Sequence, residues 1–186
     1  MNKKSLFDVI KPGIMLGVIA LCVTLLLAVA HEMTKEPINQ TRMDRINSSL
    51  SLLFPEADNF EQLSDESDDS DLYTASRSGQ PAGLCILIQT TGYSDEIYMM
   101  VGFDNDGNIL GTTITEMSET PGLGTLARED KFLNQYIGKT PPLALTKNGG
   151  QIVAVSGATV TSAAVTQGIN DASAIVQAYL KGGKPD

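Results

Sequence analysis

Residues 82–115, AGLCILIQTTGYSDEIYMMVGFDNDGNILGTTIT, decide the fold. Three apolar runs, 82–89, 97–103 and 109–115, are separated by TTGYS at 90–94 and DNDGN at 104–108. Short apolar runs bounded by Gly, Asp, Asn and Ser read as strands joined by turns. Asp106-Gly107 supplies the positive φ of a tight hairpin, so the strands are expected to run antiparallel. DNDGN also resembles half of a metal loop, but a hairpin accounts for it without a metal.

Outward from these strands the period changes. Residues 129–137 can form a short helix with Phe132, Leu133 and Tyr136 on one side, and Pro141-Pro142 with Asn148-Gly149-Gly150 bracket a loop. Residues 151–155 form a short apolar run expected to be a strand. From about 160 to 180, Val165, Ile169, Ala172, Val176 and Tyr179 recur at steps of four and three, the stripe of a helix packed on a sheet. Gly182-Gly183 stops it. Upstream, residues 40–54 carry Ile46, Leu50 and Leu53 at helical spacing, after an expected break at Glu36-Pro37-Ile38-Asn39 and before Pro55. The fold class is α+β: a small twisted antiparallel-rich sheet with helices covering one face, preceded by one transmembrane helix.

That helix is the run IMLGVIALCVTLLLAVA at 14–30, which contains no charge; counted from Pro12 it is close to the roughly 20 residues needed to cross a bilayer. Lys3, Lys4 and Lys11 precede it against Asp8, so the N-terminus is expected to stay cytoplasmic and the rest to be exported. Ala28-Val29-Ala30 also fits a signal-peptide cleavage site; an uncleaved anchor is the expectation and a removed leader its competitor. The expected organisation is a cytoplasmic N-terminus at 1–11, an anchor at 12–31, a helical and acidic connecting segment at 32–71 and a ligand-binding domain at 72–186.

Charge narrows the partners. Of 13 basic and 22 acidic residues, three and one fall within 1–30, leaving 10 and 21 in the exported part. An acidic domain without a basic stripe is not a nucleic-acid binder. The acidic run DESDDSD at 65–71 lacks the Gly and the final Glu of a calcium loop and reads as a solvated segment. One His and two separated Cys, Cys22 and Cys85, leave zinc, haem and Ser-His or Cys-His chemistry almost without residues. No catalytic residue and no metal ligand are expected.

Two segments carry chemistry. At 155–162, VSGATVTS places Ser156, Thr159, Thr161 and Ser162 around Gly157 and Ala158 at the start of the last helix. Open N–H groups and the helix dipole make such an end a seat for a compact anion such as phosphate. A plain N-cap needs only one of those hydroxyls. At 119–124, ETPGLG combines a Pro-Gly type II turn with Leu123 held between two glycines, where a flat ligand can lie. A surface turn is the simpler reading of that segment taken alone.

Taken together, ETPGLG at 119–124, SGATVTS at 156–162, YMMVGFDNDGNILG at 98–111 and the single N-terminal apolar segment resemble RnfG, the flavin-binding component of the Rnf electron-transport complex. NqrC, its counterpart in the sodium-pumping NADH:quinone reductase, shares both motifs and is the alternative; a cofactor-free membrane-anchored assembly module is the alternative of another class. The resemblance implies FMN joined through its phosphate to Thr159, installed from FAD by a separate flavin transferase. It implies that Ser156, Gly157, Ala158, Val160 and Thr161 surround the phosphate and that Glu119, Thr120, Leu123 and Gly124 approach the flavin. It further implies electron relay among membrane and iron–sulfur subunits of an ion-translocating ferredoxin:NAD oxidoreductase, in the bacterial inner membrane with the main domain periplasmic or otherwise extracytoplasmic. This sequence has Val153 where that family commonly has an acidic residue associated with recognition by the transferase.

Overall fold

A computed structural model describes residues 3–63 and 71–182. The chain divides into two compact units, Met1–Asp44 and Arg45–Asp186. The acidic run at 65–70 lies outside the described residues.

The first unit is helical. Within α1 (Lys3–Leu53), Ile10–Glu32 has a mean hydropathy of 2.7 and is long and apolar enough to cross a membrane, with none of its surface buried by protein. The expected break at 36–39 is absent, because α1 runs unbroken past Pro37. A proline removes one amide donor but holds a helical φ, so the neighbouring bonds of a long helix can carry the chain across it.

The second unit is a five-stranded sheet, β1 (Asn59–Gln62), β2 (Asp71–Arg77), β3 (Gln80–Thr91), β4 (Glu96–Phe103) and β5 (Ile109–Met117), in the order β1-β2-β3-β4-β5. Every neighbouring pair is antiparallel. The three expected strands are β3 to β5, longer than their apolar runs by four, one and two residues. β1 escaped notice because NFEQ is mostly polar and lies at the sheet edge. At the β4–β5 hairpin, Asp104 Oδ1 accepts the Asp106 and Asn108 N–H groups at 2.9 and 2.8 Å, and Gly107 has φ +82°. The aspartate closes its own loop, as a hairpin requires.

Both faces of the sheet are covered, not one. Alternation sends Ile86, Ile88, Ile97, Met99 and Val101 to one face, where Val165, Ile169, Ala172 and Val176 of α3 (Thr159–Leu180) meet them. It sends Tyr73, Ala75, Cys85, Leu87 and Met100 to the other, where Ile46, Leu50 and Phe54 pack. The compact unit therefore begins at Arg45, ahead of the expected start at 72. Cys85 is fully buried there, and burial pushes its thiol up to about 12, so it is a packing residue.

The expected short helix at 129–137 is α2 (Asp130–Leu133) followed by a 3₁₀ turn, Asn134–Tyr136, with Phe132, Leu133 and Tyr136 buried. The expected strand at 151–155 is only an isolated bridge between Leu145 and Ile152. Side chains occupy the groups a ladder would have used: Val153 N–H donates to Gln135 Oε1 at 2.8 Å, Gln135 Nε2 donates to the Val153 carbonyl at 3.1 Å, and Val155 N–H donates to Ser162 Oγ at 3.0 Å.

Candidate functional site

The four hydroxyls of 156–162 divide into two pairs. Thr161 Oγ1 donates to Glu119 Oε2 at 2.8 Å, and Ser162 Oγ donates to the Ala158 carbonyl at 2.8 Å while receiving Val155 N–H. Both residues are buried and their hydroxyls hold the fold. Ser156 is exposed and Thr159 half-buried, and neither hydroxyl bonds to any described residue.

None of them caps the helix. The N-cap of α3 is Ala158, with no side-chain bond, and among the described residues the N–H groups of Thr159, Val160 and Thr161 have no acceptor. An accessible helix start without a cap is open to another partner, and an anion is the natural one. Gly157 sits at φ +77°, and a Cβ there would stand 3.0 Å from Leu123 Cδ2. The glycine thus gives the chain its turn into α3 and lets the two motifs touch.

The ETPGLG loop is tied to this helix start at a second point. Glu119 is only 6% exposed, yet its Oε1 accepts the N–H groups of Tyr93 and Ser94 at 2.8 and 3.0 Å. Burial alone would raise its pKa; the bonds from Ser94, Thr161, Tyr93 and Asp95 outweigh that and hold the carboxyl below its ordinary range. Glu119 is therefore a charged brace linking the β3–β4 turn, the loop and α3. Gly124 is buried because a Cβ there would crowd Glu119 and stand 3.0 Å from Thr161 Oγ1. Thr120 and Leu123 remain exposed, Leu123 at 44%, and so does Val160 at 55%. Thr125 Oγ1 fixes the loop by accepting Gly122 N–H at 3.0 Å.

All ten residues expected at the site therefore lie on one constellation formed by the 119–124 loop and the start of α3. Tyr93, Ser94 and Gln135 belong to its support without having been expected, and Ser162, expected as a hydroxyl of the seat, supports it from within the fold. Only the Gly92 turn before Tyr93 carried any local signal, since a side-chain clamp such as Gln135 on Val153 leaves none.

An FMN-binding domain family matches residues 92–174, and the RnfG N-terminal region matches residues 1–52. The chain is 30% identical to the G subunit of the ion-translocating oxidoreductase complex of Vibrio vulnificus, over 91% of this chain and 90% of that one. It belongs to the RnfG family of ion-translocating oxidoreductase complexes. A second member, the G subunit of the proton-translocating ferredoxin:NAD(+) oxidoreductase complex of Clostridium ljungdahlii, is 28% identical over 85% of this chain and 86% of its own. Among solved structures, the C subunit of the Na(+)-translocating NADH-quinone reductase from Parabacteroides distasonis shares the fold, with a TM-score of 0.59, 19% identity, and coverage of 78% of this chain and 96% of that one.

The residues of this RnfG-family chain fit an FMN phosphate. They provide an unengaged hydroxyl at Thr159, open N–H groups in the same turn, and a glycine where a side chain would fill the cradle.

Proposed function

We propose that this chain is the membrane-anchored, FMN-carrying electron-relay subunit of an ion-translocating ferredoxin:NAD oxidoreductase complex, with the flavin phosphate esterified to Thr159. The observation that carries the reading is the uncapped start of α3: an alanine at the cap, three N–H groups and a threonine hydroxyl without partners among the described residues. The family match over residues 1–52 favours this complex over the quinone-reductase alternative.

FMN, when bound, supplies one- and two-electron chemistry, and the chain turns over no substrate of its own. The chain's residues hold and orient it. N–H groups of residues 159–161 and the α3 dipole offset the phosphate charge. The family resemblance gives the ester to Thr159, whose hydroxyl is open, while Thr161 is engaged by Glu119. Thr120, Leu123 and Gly124 border the flavin, while Glu119 sets their position from beneath. A flavin transferase drawing on FAD installs the cofactor, and Val153, 60% exposed beside the segment, stands where the family commonly has an acidic residue.

The positive flank Lys3, Lys4 and Lys11 favours a cytoplasmic N-terminus, and the apolar helix then anchors the FMN-binding domain on the extracytoplasmic side of a bacterial inner membrane. We retain 1–11, 12–31, 32–71 and 72–186 as functional segments, with the connecting segment from Arg45 onward packing as part of the sheet domain. Membrane and iron–sulfur subunits of the complex are its electron partners.

Intact mass after co-expression with a flavin transferase tests the reading. The protein should exceed its sequence mass by FMN less water, and its band on a denaturing gel should fluoresce under ultraviolet light. An unmodified mass with a dark band would refute covalent attachment.

A further inference from the structure

The loop-rich passage after the 3₁₀ turn Asn134–Tyr136 forms a cleft of about 520 Å³, lined among others by Gly138, Lys139, Thr140, Asn148, Gly149 and Gln151. We propose that this cleft binds a phosphorylated polyol, the chemistry shared by soluble glycerol or sugar phosphates and by phospholipid headgroups. Its lining includes no residue of 119–124 or 153–162, so it is separate from the FMN site.

Charge carries the first part of the case. Residues 131–170 contain Lys131, Lys139 and Lys147 and no Asp or Glu, although 31–186 as a whole carries 10 basic and 21 acidic residues. An anion approaching this acidic domain therefore meets the least repulsion here. Lys139 Nζ donates to Gln151 Oε1 at 3.2 Å and has no ion-pair partner among the described residues. No carboxylate among the described residues lines the cleft to neutralise it.

Open donors carry the second. Among the described residues the N–H groups of Thr140, Ala144 and Gln151 have no acceptor, and the Asn148 side-chain amide has no partner; all four residues line the cleft. The amides of Asn148 and Gln151 can both donate to and accept from hydroxyls. The lining is mainly polar and holds no aromatic ring on which a base or a flavin could stack. Its volume falls within the roughly 300–1,000 Å³ usual for small-molecule sites and exceeds what a bare phosphate fills.

The cleft is also set beforehand. Asn170 of α3 accepts Leu143 N–H on Oδ1 at 2.7 Å and donates from Nδ2 to the Leu143 carbonyl at 2.9 Å. Thr140 Oγ1 donates to Asn108 Oδ1 at 3.2 Å. Gly149 leaves the 3₁₀ helix Thr146–Asn148 at φ +81°, and Gly150 packs so closely on the Ala144 carbonyl that a Cβ would not fit. A site fixed in advance loses little freedom when filled.

Three lining glycines make the cleft readable by amide NMR of the isotope-labelled full chain in an uncharged detergent. Glycerol phosphate should shift the Gly138, Gly149 and Gly150 signals saturably, and glycerol at the same concentrations should not. Gly157 reports separately on the start of α3. Lys139→Gln should weaken binding about tenfold, the worth of one charge-assisted hydrogen bond, and Lys181→Gln, beyond the end of α3, should leave it unchanged. The same three signals are then compared in nanodiscs of phosphatidylcholine with and without phosphatidylglycerol. Shifts that appear with phosphatidylglycerol alone assign the phosphate to a lipid headgroup; shifts with glycerol phosphate alone assign it to a soluble ligand. Equal responses to glycerol and glycerol phosphate, an unchanged titration in Lys139→Gln, or no saturable shift with either phosphate source would overturn the site.

Discussion

Thr161 and Glu119, 42 residues apart in sequence, meet at 2.8 Å through a hydroxyl–carboxylate hydrogen bond that joins the last helix to the loop before the first 3₁₀ turn. The same carboxylate receives Tyr93 and Ser94 N–H, so one buried charge fastens three segments. Glu119→Ala removes the acceptor from three donors and should cost about 2–4 kcal/mol, read as a lowered midpoint in urea.

The pH dependence follows from the depressed pKa of Glu119. Its stabilisation is complete above the unfolded value near 4.5 and is lost as pH falls through the lower folded value. Melting temperature should therefore drop between pH 5 and pH 3 by more in wild type than in Glu119→Gln. Equal drops would show that the carboxylate is not the titrating brace. Asp104, also depressed by its loop bonds, contributes to both proteins alike.

Thr159→Ala should abolish the FMN mass increment while leaving the stability of the unloaded protein within about 0.5 kcal/mol of wild type, because its hydroxyl holds nothing in the fold. Thr161→Ala should do the reverse, keeping the increment and losing about 1–3 kcal/mol through the orphaned Glu119. Mass spectrometry and thermal melts of both variants separate attachment from bracing.

Gly157→Ala meets two obstacles, a φ of +77° and a Cβ 3.0 Å from Leu123 Cδ2. A cost of about 1–2 kcal/mol from the backbone alone is expected, with less FMN per chain in intact mass. Leu123→Ala in the same chain relieves the contact but not the φ, so stability should recover only in part.

Leu50→Ala tests the cover over the second sheet face. Leu50 is 2% exposed among Ile46, Phe54 and the underside of β2 to β4. The truncation should cost about 2–5 kcal/mol in chemical denaturation of the full chain in detergent. A negligible cost would place the end of α1 outside the cooperative unit.

The central strands and the last helix were legible because each carries its own period, two for β3 to β5 and 3.6 for α3. The long apolar helix was legible because a charge-free run of that length reads as a candidate membrane span. β1 was not, since a polar edge strand has no alternation to show, and the 151–155 run looked like a strand because its apolar residues say nothing of who takes its backbone bonds. The second sheet face was missed for a related reason: Ile46 and Leu50 declare a helix with one apolar side but not which surface it meets.

Sequence alone determined the central strands and the last helix, the acidic balance, the long apolar segment and the pair of motifs that point to a flavin site, because these rest on local periods and on short-range turn chemistry. Tertiary structure alone decided which hydroxyls are engaged. Four candidates at 156–162 are equivalent as letters, and only the folded contacts, Glu119 on Thr161 and Val155 folding back on Ser162, engage two and leave Ser156 and Thr159 open beside an uncapped helix start.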